Sequence, residues 1–563
     1  MKLWQPFETK FKVLRSGNGS DDVEGALAAR GIPTGIITSG ALVVLGAPIG
    51  TEEAEEAVVS ELLERLYRDE ILPIWQRANA AGFAPGNHLQ CFYQVLRLCL
   101  LPRATHLMRC VHPESSAGHL SQLTRLVDEL IFYTCSGSVN NSLADAAASD
   151  DPITAASTEA TVQRLHLPTL LGGAGLSALS AIAPAAYLGS WYLTGHAVAR
   201  LAPRFFHIHS HTGPTPEMMP LKRLLGEAHV ISLFQPDDQP TLWDSFTRKP
   251  RSKMQAALSS MIHTQNFKRI KELMAAGAGG PGAAAVWESG GGGDAVATRW
   301  LSVVPVNPVQ RIGNSAFRLA LAAHIGVRLE QISPTLFKDA AGGAVTSCRA
   351  CGATGVACWE LHAVRCVKGG RPLQIPRHNA IRDAIRFFLQ SRASVSIETP
   401  LRQYFSPADG KEPSEVNHRA DVSVHRADQI TTLVDVVVSC PKEGFHGDKG
   451  GEAAKLAEQT KRDHYHKFYK LGRATLVPFA VEAFGRWGKA AWKAAQDWAS
   501  HGCSEPYHKD PAYSRAIDDI RSTISCITAR HLGTFWDRFL MEFSAGVGVG
   551  PLPPLAMDDA DDA

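Results

Sequence analysis

The stretch "HRADVSVHRADQITTLVDVVVSCP", residues 418–441, contains two apolar segments that each carry one aspartate. Asp421 and Asp435 have thirteen residues between them, which suits two strands of ordinary length joined as a hairpin. Alternate residues of a strand face opposite sides, so Val434 and Val436 are expected on one face and Asp435 on the other. Both aspartates can then point into one cleft at the end of a sheet.

A carboxylate inside an apolar strand is costly unless it is neutralised or finds a partner. Two such carboxylates on neighbouring strands predict a cation between them, and a divalent metal such as Mg²⁺ is the leading candidate. A bound metal of this kind would activate a water and offset charge during phosphodiester hydrolysis. The alternative interpretation is structural, with Asp435 satisfied by backbone amides.

A lysine near the metal would orient the water or stabilise the leaving oxygen. The segment "AAKLAEQTKRDHYHKFYK", residues 453–470, predicts a helix that supplies one. Lys461 and Tyr465 are four residues apart and therefore share a helix face. If the structural interpretation of Asp435 holds, Lys461 instead lies on a solvated face.

A second group of ligand-type residues lies in "CRACGATGVACWELHAVRC", residues 348–366. Its spacing is C-x2-C-x10-H-x3-C, in which each half supplies two ligands from one turn of chain. Four such ligands fill a tetrahedron, so we expect a structural Zn²⁺ site formed by Cys348, Cys351, His362 and Cys366. Cys358 is a spare thiol that could replace one of them. The alternative is a chance cluster of small buried cysteines.

The composition of the 563 residues indicates a packed globular protein, with 45% apolar and 20% charged residues. A net charge of +2 means that any nucleic-acid binding must depend on local basic patches. Eleven cysteines and an N-terminus unlike a signal peptide indicate a reducing compartment. The uncharged segment 165–199 could span a bilayer, but its glycines and prolines favour a Gly-rich turn followed by a buried helix.

The chain divides into five expected parts. The parts are a strand-then-helix region 1–145, a helical linker region 146–340, a zinc knuckle 341–370, a mixed sheet with helices 371–535, and a disordered tail 536–563. Within the helical linker region, we expect a polar loop at 146–160 and a flexible linker or insertion in the Gly/Ala stretch 275–294.

Several motifs occur in the order found in one known family. They are "VVLGAPIG" (43–50), "QVLRLCLLPRATHLMRCV" (94–111), "LHLPTLLGGAGLSALSAIAPAAYLGSW" (165–191), "RWLSVVPVNPVQRIGNSAFRLALAAHIGVRL" (299–329), the cysteine cluster, "RHNAIRDAI" (377–385), "RADVSV" (419–424), "LVDVVVSCP" (433–441), "AEQTKRDHY" (457–465) and "LVPFAVEAFGRWG" (476–488). Together they resemble the C-terminal part of the polyprotein of non-LTR retrotransposons that carry a restriction-like endonuclease.

This resemblance implies a multi-domain α and α/β protein with thumb-like helices, a CCHC zinc knuckle and a PD-(D/E)XK-type nuclease core. Asp421 takes the place of the first catalytic aspartate, although Ala420 stands where proline is usual. Asp435 takes the place of the second metal ligand. Val437 occupies the position where the family name expects lysine.

In these elements the lysine is typically displaced onto the next helix. That displacement points to Lys461, with Tyr465 completing its motif and Lys455 as the reserve candidate. His378, Asp383 and Glu398 are candidates to support the site, although a purely structural role is favoured for each.

The implied activity is Mg²⁺-dependent nicking of target DNA for retrotransposition, with target DNA and the element RNA as partners and the nucleus as the place of action. The expected nucleic-acid contacts are Arg377, Arg382, Arg462 and Lys467. The sequence lacks the aromatic-x-Asp-Asp turn of a polymerase between apolar strands, so reverse transcription would need a full-length enzyme in trans. Two alternatives are a catalytically dead nucleic-acid-binding remnant and an integral membrane protein built on 165–199.

Overall fold

A computed structural model of the chain describes residues 13–14, 37–38, 41–44, 47–50, 52–80, 86–136, 143–149, 151–201, 254–339, 341–408, 418–426, 430–441, 451–470, 474–501, 503–504 and 507–545. The chain divides into two compact units. The first unit comprises 1–74, 95–127 and 177–266, and the second comprises 75–94, 128–176 and 267–563. The expected combination of helical and mixed α/β elements is confirmed.

The first part of the described chain has short strands followed by helices, as the sequence predicts. The strands are β1 (Val13–Leu14), β2 (Ile37–Thr38), β3 (Ala41–Val44) and β4 (Ala47–Gly50); β1 and β2 pair in parallel, and β3 and β4 antiparallel. The helices are α1 (Glu52–Arg65), α2 (Leu72–Ala80), α3 (His88–Val95), α4 (Leu101–Cys110), α5 (Pro113–Ser136), α6 (Leu143–Ala147), α7 (Pro152–His166) and α8 (Leu179–Leu201).

The later part of the described chain combines helices with a sheet. Its helices are α9 (Met254–Ala275), α10 (Ala283–Ser289), α11 (Asn314–Ile325), α12 (Leu329–Ile332), α13 (Trp359–Arg365), α14 (Gln374–Gln390), α15 (Glu452–Phe468), α16 (Lys489–Ser500) and α17 (Pro511–Ala545). Its strands are β5 (Ser394–Pro400), β6 (Ser406–Pro407), β7 (Arg419–His425), β8 (Thr431–Ser439), β9 (Tyr469–Lys470) and β10 (Ala474–Glu482).

The uncharged segment 165–199 forms a glycine-containing turn and then helix α8. Gly172 has φ +85°, a left-handed conformation that favours glycine, and α8 packs against α4 in the first unit. The predicted turn followed by a helix is therefore confirmed. Among the described residues, no helix has both the length and the apolar character required to cross a membrane.

The polar stretch 146–160 is largely helical rather than a loop. Asp151 caps helix α7 because its carboxylate accepts hydrogen bonds from the backbone N–H groups of Ile153 and Thr154, and Pro152 occupies the first turn. The loop expectation is wrong, since the Ala/Ser/Thr composition that suggested it also suits a capped helix.

The Gly/Ala stretch 275–294 is packed, so the expectation of a flexible linker is wrong. Helix α10 buries Val286 and Trp287, and the Arg486 guanidinium donates hydrogen bonds to the carbonyls of Glu288 and Gly292 at 2.6 and 2.7 Å. A Cβ atom on Gly172 would lie 2.1 Å from the Gly291 carbonyl oxygen. The glycines therefore allow close backbone packing here instead of providing flexibility.

The sheet of the second unit has four strands in the order β10-β8-β7-β5. Strand β8 pairs in parallel with β10, from Thr431 opposite Ala474 to Ser439 opposite Glu482. Strand β7 is antiparallel to both β8 and β5. Helix α15 connects β8 to β10 because parallel neighbours need a crossover connection. The result is a mixed sheet whose two central strands, β7 and β8, carry Asp421 and Asp435.

The two faces of this sheet follow the predicted alternation. Val434 and Val436 of β8 point into the larger core, where they pack with side chains of α14, α16 and α17. Leu433 points to the opposite face and packs with Tyr465 and Tyr469. Asp435 is on the same face as Leu433, which is the face covered by α15.

Helix α17 extends ten residues beyond the expected start of the disordered tail. Trp536, Phe539 and Phe543 lie in this extension and are fully buried. The expectation of disorder is therefore wrong for 536–545, because these residues carry an apolar stripe at helical spacing. Residues 546–563 lie outside the described residues.

Candidate functional site

Asp421 and Asp435 lie at the end of the ladder between β7 and β8. The last pair of this ladder is Val422 with Val434, and each aspartate is the residue directly beyond that pair on its own strand. The two carboxyl groups interact directly, and a hydrogen bond between them helps to lower the pKa of Asp421.

The Asp421 carboxylate is fixed by one side chain and one backbone group. Its Oδ1 lies 3.1 Å from His378 Nε2, and its Oδ2 accepts a 2.6 Å hydrogen bond from the Val436 N–H. Burial opposes ionisation of Asp421, but the hydrogen bond and charge of His378 outweigh it, so the pKa of Asp421 is lowered. The pKa of His378 is correspondingly raised by its hydrogen bond to Asp421.

The Asp435 carboxylate is 4% exposed and receives two donors on one oxygen. Lys461 Nζ lies 2.9 Å from Oδ2, and the Tyr465 hydroxyl donates a 2.6 Å hydrogen bond to the same oxygen. Burial raises the pKa of Asp435 and the Asp421 charge adds to that effect, although Lys461 and Tyr465 oppose it. Because the two acids are close, they titrate as a pair, with Asp421 as the stronger acid.

Helix α15 holds Lys461 and Tyr465 beside Asp435 because hydrogen bonds join this helix to β10 and to α16. Glu482, at the end of β10, accepts a 2.9 Å hydrogen bond from the Ala454 N–H in the first turn of α15. Glu458 accepts a 2.9 Å hydrogen bond from the Ala490 N–H at the start of α16. These contacts fix the position and rotation of the helix against the sheet.

The structure distinguishes between the two candidate lysines. Lys461 is one-third exposed and contacts Asp435. Lys455 is about two-thirds exposed and lies 3.4 Å from Glu452 on the same helix. Lys461 is therefore the lysine that the fold places beside the aspartates.

Two predicted nucleic-acid contacts do not present a free charge at the surface. Arg377 is 2% exposed, and its guanidinium lies 4.4 Å from the centre of the Phe535 ring, so the expectation that it contacts nucleic acid is wrong. Arg382 pairs with Asp383 and Glu398, each at 3.0 Å. Arg462 is half-buried and Lys467 is exposed, so these two stay available for a charged ligand.

His378 is the site residue that the sequence prediction undervalued. The sequence favoured a purely structural role, yet the imidazole contacts the Asp421 carboxylate directly. Asp383 and Glu398 contact Arg382 rather than either aspartate. Nothing in the local sequence separates His378 from Asp383 and Glu398, because only the packing of α14 against β7 and β8 brings His378 to the site.

The predicted cysteine and histidine ligands also converge. One ligand atom from each of Cys348, Cys351, His362 and Cys366 lies within 4.8 Å of the others, and the group could hold a metal ion. Cys348 Sγ lies 4.0 Å from Cys366 Sγ, and Cys351 Sγ lies 3.5 Å from His362 Nε2. Cys358 is outside this group, and its thiol donates a hydrogen bond to Glu360.

This cluster, which we call the knuckle (348–366), is joined to two other elements of the second unit. Trp359 and His362 of α13 pack against Phe539 of α17, with ring centres 6.2 and 5.8 Å apart. Arg365 donates hydrogen bonds to the carbonyls of Cys440 and Pro441, directly after strand β8. The knuckle is therefore connected to the strand that carries Asp435.

No protein-family model matches this chain, and no curated protein matches it in sequence.

Proposed function

We propose that the second unit is a metal-dependent DNA endonuclease with a PD-(D/E)XK-type core. Asp421 and Asp435 would hold Mg²⁺, and Lys461 and Tyr465 would complete the site. The single observation that carries this proposal is the meeting of two carboxylates from neighbouring strands with one ammonium group from helix α15. In the structural alternative, backbone amides would satisfy Asp435, whereas its Oδ2 contacts the Lys461 ammonium and the Tyr465 hydroxyl.

The chemistry of the donor atoms fits Mg²⁺. Carboxylate oxygens are the hard ligands that Mg²⁺ takes, and one or two carboxylates with waters are its usual protein ligands. The raised pKa of Asp435 reflects burial and the nearby Asp421 charge, and a bound cation would relieve both effects. Lys461 already supplies positive charge beside Asp435, and His378 contacts the Asp421 carboxylate.

The roles of the protein groups follow from their contacts. When bound, Mg²⁺ would supply activation of a water and charge compensation at the scissile phosphate. Lys461 is a fixed cation that can orient the attacking water or stabilise the leaving oxygen. The Tyr465 hydroxyl holds the Asp435 carboxylate in position, and His378 does the same for Asp421.

We assign zinc to the knuckle, with a structural role. With Zn–S near 2.3 Å and Zn–N near 2.0–2.1 Å, a tetrahedral site has ligand separations of about 3.8 Å between sulfurs and about 3.6 Å between sulfur and nitrogen. The separations of 4.0 and 3.5 Å are close to these values. Four protein ligands leave no open position for catalysis.

The sequence resemblance supports a role in non-LTR retrotransposition. The substrate would be target DNA in the nucleus, the element RNA would be a second partner, and reverse transcription would require a full-length polymerase in trans. Arg462 and Lys467, on the helix that carries Lys461, are the basic residues best placed to contact a phosphate backbone.

Nicking of supercoiled plasmid DNA in Mg²⁺ tests the proposal. The wild-type protein should nick, and chelation of Mg²⁺ should stop the reaction. Asp435→Asn should reduce nicking to background, because the amide keeps the shape and removes the charge that holds the metal. Asp463→Asn is the matched control, since this exposed aspartate lies on α15 and pairs with Gln459.

Equal nicking by the wild type and Asp435→Asn would refute the endonuclease proposal. Salt-sensitive DNA binding by a wild-type protein that does not nick would support the inactive nucleic-acid-binding alternative instead.

A further inference from the structure

Two histidines form a cluster that the endonuclease proposal does not use. His418 precedes strand β7, and His464 lies on α15, next to Tyr465. Their Nε2 atoms are 3.1 Å apart, and the ring planes are nearly perpendicular. His464 is exposed and His418 is partly exposed.

Both imidazole rings are held in place by aromatic neighbours. The Phe468 ring centre lies 5.0 Å from the centres of both histidine rings. The Tyr469 hydroxyl lies 3.3 Å from His418 Nδ1 and accepts a hydrogen bond from the His418 backbone N–H. Metal-ligating histidines commonly engage an oxygen through their second ring nitrogen, and this contact sets the ring orientation.

The separation of the two nitrogens suits a shared borderline ion. At Zn–N distances of 2.0–2.1 Å, two ligand nitrogens are about 3.3 Å apart in a tetrahedron and about 2.9 Å apart at a right angle. The value of 3.1 Å lies between these limits. Burial, His464 and Lys461 each lower the pKa of His418.

We propose that His418 and His464 form a second transition-metal site, selective for imidazole-preferring ions such as Zn²⁺ or Cu²⁺ over Mg²⁺. Imidazole nitrogen suits these ions, whereas Mg²⁺ prefers oxygen ligands. Two protein ligands leave positions open for water or for a phosphate oxygen. The site is independent of the endonuclease proposal, because its ligands are neither of the two aspartates.

A hydrogen bond between the two rings would give the same separation without metal. In that arrangement the Tyr469 hydroxyl donates to His418 Nδ1, and His418 Nε2–H donates to His464. A binding experiment separates the two interpretations, because a hydrogen-bonded pair alone takes up no ion.

The experiment uses the full chain with its knuckle already loaded with zinc, dialysed against Zn²⁺ held at a micromolar free concentration. The wild type should retain one more zinc ion per chain than His464→Ala. His466→Ala is the matched control, since His466 is an exposed histidine two positions further along the same helix. This variant should bind as much zinc as the wild type.

Cu²⁺ titration followed by electron paramagnetic resonance gives a second readout. The wild type should show coupling to two nitrogens, and His418→Gln should lose it. Equal zinc uptake by the wild type and His464→Ala, or equal loss in His464→Ala and His466→Ala, would overturn the proposal. Neither measurement depends on nicking, so failure of the endonuclease proposal would leave this one standing.

Discussion

At the scale of single residues, one carboxylate oxygen of Asp435 contacts two donors, the charged ammonium group of Lys461 and the neutral hydroxyl of Tyr465. Lys461 brings a full charge at 2.9 Å, whereas the Tyr465 hydroxyl brings only a hydrogen bond at 2.6 Å. Burial and the neighbouring carboxylates raise the pKa of Tyr465, so it stays a hydroxyl donor at any physiological pH. The lysine is therefore suited to charge stabilisation and the tyrosine to positioning.

Lys461→Met should lower the rate of Mg²⁺-dependent nicking by about 10²–10³-fold, because removing one preorganised charge-stabilising donor has effects of that size. Lys455→Met is the matched control on the same helix and should nick at a rate close to the wild type. Single-turnover nicking of plasmid DNA measures both. If the two variants lose the same activity, Lys461 has no special role.

His378→Gln should weaken stability in a pH-dependent way. Because the folded-state pKa of His378 is raised by Asp421, its contribution is complete below the unfolded pKa of about 6.5 and is lost as pH rises through the higher folded value. The gap in stability between wild type and variant should therefore be larger at about pH 6 than at about pH 9.

Urea unfolding at the two pH values measures this gap, with His466→Gln as the control. Asp421 stays ionised at both values because its pKa is lowered. A gap of the same size at both pH values would mean that His378 acts only by packing.

The sequence predicts the pairing of Asp421 and Asp435 because strand alternation is a local rule. It also places Lys461 with Tyr465, since residues four apart share a helix face. The burial of Arg377 cannot be predicted in this way. Phe535, which covers its guanidinium, is far away in sequence, and the residues next to Arg377 give no sign of this contact. The approach of His378 to Asp421 depends in the same way on packing between elements.

At the scale of elements, the end of helix α17 supports the knuckle. Phe539 is fully buried, and its ring contacts His362, one of the four candidate ligand residues. Phe337 stacks on Phe543 one turn further along, with ring centres 5.0 Å apart. The ligand-bearing helix α13 therefore depends on an apolar surface supplied by residues far away in sequence.

Phe539→Ala should destabilise the second unit by about 3–5 kcal/mol, the usual cost of truncating a buried phenylalanine. The same variant should release zinc at a lower chelator concentration, because His362 loses its packing partner. Arg538→Ala, at a partly exposed neighbour, should change stability by no more than about 0.5 kcal/mol.

The midpoint of urea unfolding and the zinc content after chelator treatment measure the two effects. Similar results for the two variants would show that α17 does not support the knuckle. The sequence alone assigned 536–545 to a disordered tail, because the Gly, Pro and Asp residues that follow dominate the composition of that region.

At the scale of the whole molecule, segments far apart in sequence build the second unit together. Arg486, in the turn after β10, bonds to the Gly-rich segment through the carbonyls of Glu288 and Gly292. Arg299 pairs with Asp518 of α17 and donates to Ser522. The sequence assigned these segments to two separate parts, the linker region and the mixed sheet with helices, because composition describes each segment by itself and not its neighbours in space.

The hydrogen bonds from Arg365 to the carbonyls of Cys440 and Pro441 have a practical consequence for engineering. A researcher fusing the proposed endonuclease core to a programmable DNA-targeting protein would be inclined to cut the gene at residue 371, after the last of the candidate cysteine ligands. Such a graft would omit Arg365 and leave two backbone oxygens without their donor, a few residues from Asp435. A portable cassette should therefore keep Arg365, and also the segment with Glu288 and Arg299, which bonds to Arg486 and Asp518.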